Sequence, residues 1–155
     1  MIRQSDSVSL ASLLGPENIV IIQGPPSREE ALRQLVDRLL PSVAGLISPA
    51  ALRARLAEVE KLNRVLESGF YIPHAKFPEL DGFHAALGLH KTGFHDPATG
   101  LNVRAVLLLL SPHKQAYFQK HLNVLSLLSQ TFQPELIERL SALEDPAAVY
   151  SALPR

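Results

Sequence analysis

Cysteine and tryptophan are absent from this sequence of 155 residues, and long apolar runs are absent as well. Without cysteine the chain can form no disulfide, thiol nucleophile, thiolate zinc site or iron–sulfur cluster. The longest unbroken apolar run covers residues 105–110, whereas a membrane-spanning helix needs about 20 residues. The N-terminal stretch also has no apolar core of signal-peptide length. We therefore expect a cytoplasmic protein with no direct membrane insertion.

An excess of charge of either sign is also missing, because 15 Lys and Arg residues balance 15 Asp and Glu residues. Proteins that bind nucleic acid usually carry a basic excess, so we expect no nucleic-acid partner. The composition is that of a globular chain, with 46% apolar and 19% charged residues. Its length fits one ordinary domain, which we place over residues 1–155.

Motifs that bind nucleotides or activate a serine are absent too. Neither a Walker pattern nor Gly-x-Gly-x-x-Gly occurs, which removes the sequence support for a nucleotide or dinucleotide cofactor. Gly-x-Ser-x-Gly is also missing, so the sequence signals no nucleophile elbow. We therefore predict that the protein works without a cofactor.

Helix-capping signals and apolar runs alternate along the chain. Ser27 with Glu30, and Ser48 with Pro49, mark two helix starts. The patterns predict a short helix or turn over 8–14 and helices over 28–40 (ended by Pro41), 49–62, 114–132, 134–143 and 146–153. They predict strands over 19–23, 70–72, 83–91 and 103–110, and loops over 74–82 and 92–100. Helices interleaved with covered strands indicate an α/β fold with a mixed central β-sheet flanked by helices.

One local feature combines a strand end with a reactive side chain. In Ile72-Pro73-His74-Ala75 a strand ends, the proline interrupts its pairing and a histidine follows at once. Proline holds the preceding residue in an extended conformation and removes one backbone donor. His74 is therefore predicted to lie on a rigid support at a strand end, where sites of α/β folds tend to lie. The alternative is an ordinary loop histidine.

Five further histidines complete a set of six. His121 lies beside the apolar stripe of the helix over 114–132, where a histidine that only packs its ring is the alternative to a functional one. His84 and His90 share a strand face but lie about 20 Å apart, too far for one ion. No spacing typical of metal ligands occurs, so we predict no metal site. A small-ligand or metal site built from His84, His90 and His95 is a minor alternative.

Several stretches of the chain share their residues with one family. LASLLGPENIV precedes a helix that begins REEAL, GFYIPHA covers residues 69–75, AVLLLLSP ends a strand, and HLNVLSLL covers residues 121–128. These stretches resemble the enzyme IIA domain of the phosphoenolpyruvate-dependent sugar phosphotransferase system, in its fructose, mannitol and nitrogen-regulatory branch. The likeness runs over nearly the whole length. Two histidines 47 residues apart, each within its own matching stretch, indicate this family more specifically than either histidine alone.

The resemblance implies a mixed sheet of about five strands between helices and a role for each histidine. His74 matches the family's nucleophile, which takes a phosphoryl group from the histidine-containing phosphocarrier protein and passes it to an enzyme IIB partner. His121 matches a second histidine, which donates a hydrogen bond to the phosphoryl oxygens. A neutral imidazole is a competent nucleophile because its pKa is ordinarily about 6.5. Phosphoryl transfer then needs mainly in-line positioning and donors around the oxygens.

Basic residues near the two histidines are the remaining candidates for the site. Arg64 is expected to neutralise phosphoryl charge, with Arg55 as an alternative, while Lys76 and Lys120 are expected to form a basic binding rim. Solvated surface charge is the other interpretation of each.

The chain also departs from the family pattern in three places. Asn63-Arg64-Val65 stands where the family usually carries Ser-Thr-Gly, and Glu58 matches an upstream arginine. Tyr71 replaces a small alanine and is expected to crowd the strand beside the site. These departures leave a second interpretation open, namely a divergent regulatory module that binds a target protein and has lost phosphoryl transfer.

Overall fold

The computed structural model describes residues 9–154, so Val8, the first residue of the predicted N-terminal helix, lies outside the described residues. The described helices are α1 (Leu10–Leu13), α2 (Arg28–Val43), α3 (Pro49–Glu60), α4 (Phe118–Thr131), α5 (Pro134–Ser141) and α6 (Pro146–Ala152). The described strands are β1 (Ile19–Ile21), β2 (Phe70–Tyr71), β3 (His74–Phe77), β4 (His84–His95) and β5 (Asn102–Pro112). None of these helices is long and apolar enough to cross a membrane.

The strands form one mixed sheet of five, which confirms the predicted α/β fold. Its order is β1-β4-β5-β2, with β3 also pairing with β5. The long strands β4 and β5 are antiparallel, whereas β1 is parallel to β4 and both β2 and β3 are parallel to β5. β2 and β3 follow one another along the same edge of β5, because Pro73 between them has no N–H to donate.

Two apolar layers cover the two faces of the sheet. On one face, α2 and α3 pack through Leu35 and Leu52 against a layer that includes Tyr71. On the other face, α4 and α5 pack against a layer that includes Phe70 and Phe132, whose rings stack with centroids 4.4 Å apart. Both faces of β5 are buried, as its unbroken apolar run predicts. The edge strand that carries His74 is therefore fixed between two packed layers.

The helix predicted to end before Pro41 continues to Val43, so that boundary is wrong. Pro41 removes one backbone hydrogen bond near the end of α2. Val43 is fully buried, and its carbonyl oxygen accepts hydrogen bonds from the amides of Leu46 and Ile47. Burial of the last turn in the core therefore outweighs the local effect of the proline.

Both predicted loops begin with strand residues, so these two predictions are also wrong in part. The loop predicted over 74–82 opens with β3, in which Ala75 and Phe77 are buried while the backbone pairs with β5. The loop predicted over 92–100 includes the end of β4. An irregularity after Leu89 shifts the register and lets Phe94 and His95 pair with β5 again.

Candidate functional site

His74 opens β3 and is half-buried on the face of the sheet that α4 covers. Its Nδ1 atom lies 2.7 Å from the carbonyl oxygen of Ile72. A carbonyl oxygen can only accept a hydrogen bond, so the neutral ring carries its proton on Nδ1. The lone pair is then on Nε2. The structure thus provides an imidazole with one nitrogen held by the backbone and the other available as a nucleophile.

The backbone of His74 is held from the loop that follows α3. Asn63 Oδ1 accepts a hydrogen bond from the His74 amide at 2.9 Å. Because β3 lies at the edge of the sheet, amides that face away from β5 need partners outside the sheet. The sequence comparison singled out Asn63 only as a departure from the family pattern, since a loop asparagine carries no signal of a partner 11 residues away.

α4 places His121 beside His74, with the ring centroids 5.6 Å apart and the planes inclined by 47°. The two histidines that the sequence singled out are therefore in contact. His121 is 4% exposed. Its pKa is lowered to about 4, first by burial and then by the positive charges of His74 and Lys76. At neutral pH this ring is uncharged and carries one proton, so it can donate one hydrogen bond.

Ser111 is a polar contact of His121 that the sequence did not reveal. The side chain is fully buried at the end of β5, and its Oγ atom lies 2.7 Å from Nδ1 of His121. Ser111 pairs in register with Lys76, as Leu109 does with His74, so the serine lies two residues beyond the partner of His74 along β5. The signal available in the sequence was a serine that directly follows six apolar residues of a strand, a position where a polar side chain is unusual.

Lys76 and Lys120, the two predicted rim lysines, occupy different surroundings. The Lys76 ammonium lies over the Phe118 ring, 5.1 Å from its centroid, and its charge contributes to the lowered pKa of His121. The Lys120 ammonium lies over the Tyr117 ring, 5.3 Å from its centroid. The structure therefore links Lys76 electrostatically to the histidine pair, whereas Lys120 is held against the turn that precedes α4.

The exposed side chain of Arg64 lines a surface cavity of about 560 Å³ together with His74 and Asn63. Leu125 and Ser126 of α4 also line this cavity. Arg64 is thus brought to the same cavity as the candidate nucleophile, at the mouth rather than among the buried groups.

Glu58, the residue that matches the family's upstream arginine, is exposed on α3 and pairs with Arg55 at 3.5 Å. The Nε atom of Arg55 donates a hydrogen bond to the carbonyl oxygen of Lys76 at 3.4 Å. Arg55 therefore contacts the backbone of the strand that carries His74, which fits its place as the alternative to Arg64.

Tyr71 does not crowd the site, so that expectation is wrong. Successive residues of an edge strand point to opposite faces. Tyr71 is fully buried in the layer beneath α2 and α3, with the Arg28 guanidinium 4.6 Å from its ring centroid. Burial raises the pKa of its hydroxyl to about 12. The tyrosine therefore fills the core on the side of the sheet opposite to His74 and His121.

His90, the central member of the alternative histidine group, is engaged by the backbone. Its Nδ1 atom accepts hydrogen bonds from the amides of Thr92 and Gly93, and Nε2 donates to the carbonyl oxygen of Gly24 at 3.1 Å. Across residues 9–154, no group of three or more histidine, aspartate and glutamate side chains is arranged to hold a metal ion. The geometry gives His90 a structural role at the end of the sheet.

Solved structures share this fold over nearly their whole length. Nitrogen regulatory protein IIA-Ntr from Neisseria meningitidis is similar with a TM-score of 0.76 and 25% identity, over 94% of this chain and 99% of that chain. IIA mannitol from Escherichia coli is similar with a TM-score of 0.71 and 20% identity, over 91% and 99%. The Escherichia coli complex of enzyme IIA mannitol with phosphorylated enzyme IIB mannitol matches with a TM-score of 0.67 and 20% identity, over 90% and 95%.

The sequence itself carries the family assignment. None of the curated proteins matches the chain. The family model for the phosphoenolpyruvate-dependent sugar phosphotransferase system, EIIA 2, matches residues 12–155. Since this match spans almost the whole chain and confirms the resemblance drawn from the motifs, the protein belongs to the EIIA 2 family of the phosphoenolpyruvate-dependent sugar phosphotransferase system.

Proposed function

We propose that this protein is a phosphohistidine carrier. In this proposal His74 accepts a phosphoryl group from the histidine-containing phosphocarrier protein and passes it to an enzyme IIB, or holds it as a regulatory signal. The observation that carries the proposal is the bond between His74 Nδ1 and the Ile72 carbonyl oxygen, at 2.7 Å. It leaves Nε2 with a lone pair in a half-buried position on a packed strand.

The accepting step is a transfer between two imidazoles. The lone pair of His74 Nε2 attacks phosphorus and forms an N–P bond, while the N–P bond of the donor breaks and the donor imidazole leaves with its electron pair. Nδ1 keeps its proton and donates it in a hydrogen bond to the Ile72 carbonyl oxygen, which stabilises the positive charge that develops on the ring. The second transfer reverses these roles, because the same ring becomes the leaving group.

The surroundings of His74 suit a group that must be released again. A phosphoryl group on nitrogen carries close to two negative charges at neutral pH. His121 offers a neutral ring N–H at this position, since its pKa is lowered to about 4. Lys76 offers one positive charge nearby. One neutral donor and one cation stabilise the phosphoryl oxygens without the tight binding that several cations would produce.

Exposed apolar side chains beside the histidines provide a surface for a protein partner. Leu62 is 76% exposed, Leu122 is 58% exposed and Phe118 is 42% exposed. These residues lie in the loop after α3 and on α4, the two elements that flank His74. Grouped exposed apolar residues are typical of protein interfaces. A related IIA protein has been solved with a phosphorylated enzyme IIB, which supports a IIB partner.

A second candidate function is favoured by the similarity to nitrogen regulatory protein IIA-Ntr, at 25% identity. In that case the protein functions by binding a regulatory target protein, with or without phosphorylation of His74. Binding that responds to His74→Glu would connect the target to the phosphorylated state, whereas unchanged binding would separate the two.

The test is phosphorylation by purified partners. The protein is incubated with phosphoenolpyruvate, the general phosphotransferase enzyme and the histidine phosphocarrier, and mass spectrometry follows an acid-labile gain of one phosphoryl group. We expect the gain in wild type and in His113→Ala, whose exposed imidazole serves as a matched control, and no gain in His74→Ala. Retention of the label by His74→Ala, or no label on wild type with partners shown to be active, would overturn the proposal.

A further inference from the structure

Ser111 and the two histidines form a polar cluster inside an otherwise apolar layer. Ser111 is fully buried and His121 is 4% exposed. The Ser111 Oγ atom lies 2.7 Å from His121 Nδ1, and the His121 ring centroid lies 5.6 Å from that of His74. A buried polar pair is costly unless its hydrogen-bonding groups are satisfied, so the direction of each hydrogen bond is constrained.

We propose that Ser111 is a positioning residue, whose hydroxyl donates to Nδ1 of His121 and holds that ring in the tautomer with its proton on Nε2. His121 is then a hydrogen-bond donor for a group carried by His74. This inference rests on the proposed function of His74 and adds the residue that fixes the protonation pattern of its neighbour.

The proton count decides the direction of the bond. The uncharged His121 ring has one N–H, and Ser111 has one hydroxyl hydrogen. If Nδ1 carried the ring proton and donated to Oγ, the serine hydrogen would need a second acceptor. Within residues 9–154, Ser111 Oγ has no other hydrogen-bond partner. Donation from Ser111 to Nδ1 satisfies the buried hydroxyl and leaves the Nε2–H free for a ligand.

The register of the sheet makes this arrangement rigid. His74 and Lys76 lie on one strand, opposite Leu109 and Ser111 on the next, and alternate residues share a face. Ser111 is thus anchored by β5, and the bond to Nδ1 restrains the His121 ring from beneath α4. The same hydroxyl therefore sets both the orientation and the tautomer of the second histidine.

The first experiment measures the tautomer in the unphosphorylated wild-type protein. Long-range ¹H–¹⁵N spectra at pH 7 distinguish a protonated from an unprotonated ring nitrogen. We expect His121 to show a protonated Nε2 and an unprotonated Nδ1. A protonated Nδ1 would overturn the inference. This measurement needs no phosphoryl donor, so its outcome is independent of whether His74 is a phosphocarrier.

The second experiment measures the rate of phosphoryl transfer to variants at Ser111. We expect Ser111→Ala to be about tenfold slower than wild type, the size expected for one lost hydrogen bond. Ser111→Thr retains the hydroxyl, whereas Ser111→Val has the same shape without it, so Ser111→Thr is expected to be about tenfold faster than Ser111→Val. Equal rates for wild type and Ser111→Ala, or for the matched pair, would overturn the role of the hydroxyl. Absence of transfer in wild type would overturn the proposed function, while the tautomer spectra would still decide the direction of the bond.

Discussion

Lowering the pH from 7 to 5 is expected to destabilise the folded protein through one buried residue, His121. Its pKa is lowered from 6.5 to about 4 by burial and by the charges of His74 and Lys76. Between these two values the unfolded state binds more protons than the folded state. The contribution of His121 to the free energy of unfolding is therefore fully present above about pH 6.5, and it is lost as the pH decreases toward 4.

The size of the effect follows from the separation of the two pKa values. The shift from 6.5 to about 4 corresponds to ~3 kcal/mol in total, at about 1.4 kcal/mol per pH unit. About 2 kcal/mol of this is lost between pH 7 and pH 5, and the remainder below pH 5. Because His121 is only 4% exposed, solvent screens the effect little.

Urea unfolding at pH 7 and pH 5 measures this loss in wild type and in His121→Gln, whose amide does not titrate. His84 and Asp96, whose pKa values are also lowered, titrate in both proteins and cancel in the comparison. We expect wild type to lose about 2 kcal/mol more than the variant between the two pH values. An equal loss in the two proteins would show that the His121 pKa is not lowered and would refute the reasoning.

Two further predictions concern backbone positions. Gly93→Ala is expected to lower the free energy of unfolding by about 3 kcal/mol or more, because φ is +75° and an added Cβ would lie 2.4 Å from the Val103 carbonyl oxygen. Gly100→Ala has the same φ with nothing within 4 Å and is expected to cost only about 1–2 kcal/mol; equal thermal destabilisation of the two would contradict this. Asn63→Ala is expected to lower the free energy of unfolding in urea by about 1–2 kcal/mol, because the His74 amide loses its acceptor. Asn63→Asp retains an acceptor and is expected to be less destabilised. Equal destabilisation of both variants would argue against that hydrogen bond.

The fold was largely predictable because its main signals are local. A strand apolar on both faces predicted the central position of β5, and capping residues such as Ser27 and Ser48 predicted the starts of α2 and α3. The misplaced boundaries have a tertiary cause. β3 follows Pro73 with only two buried residues, Ala75 and Phe77, so pairing with β5 rather than local propensity makes it a strand.

The site was predictable only in part, because some of its contacts also depend on tertiary packing rather than on a local motif. His74 and His121 each carry a local motif, and α4 brings them into contact. Asn63 and Ser111 act through bonds that span 11 and 10 residues and depend on how the elements pack. Tyr71 was predicted to crowd the site because it is close to His74 in the sequence. Its side chain lies on the other face of the sheet, since successive residues of a strand point to opposite faces.

The most direct test of the proposed mechanism is the position of the N–P bond in the phosphorylated protein. Phosphorus–nitrogen couplings in the ¹⁵N-labelled protein identify both the residue and the ring nitrogen that carry the group. We predict phosphorus on Nε2 of His74, because the Ile72 carbonyl oxygen holds Nδ1 at 2.7 Å. Phosphorus on Nδ1 of His74, or on any other residue, would contradict the mechanism.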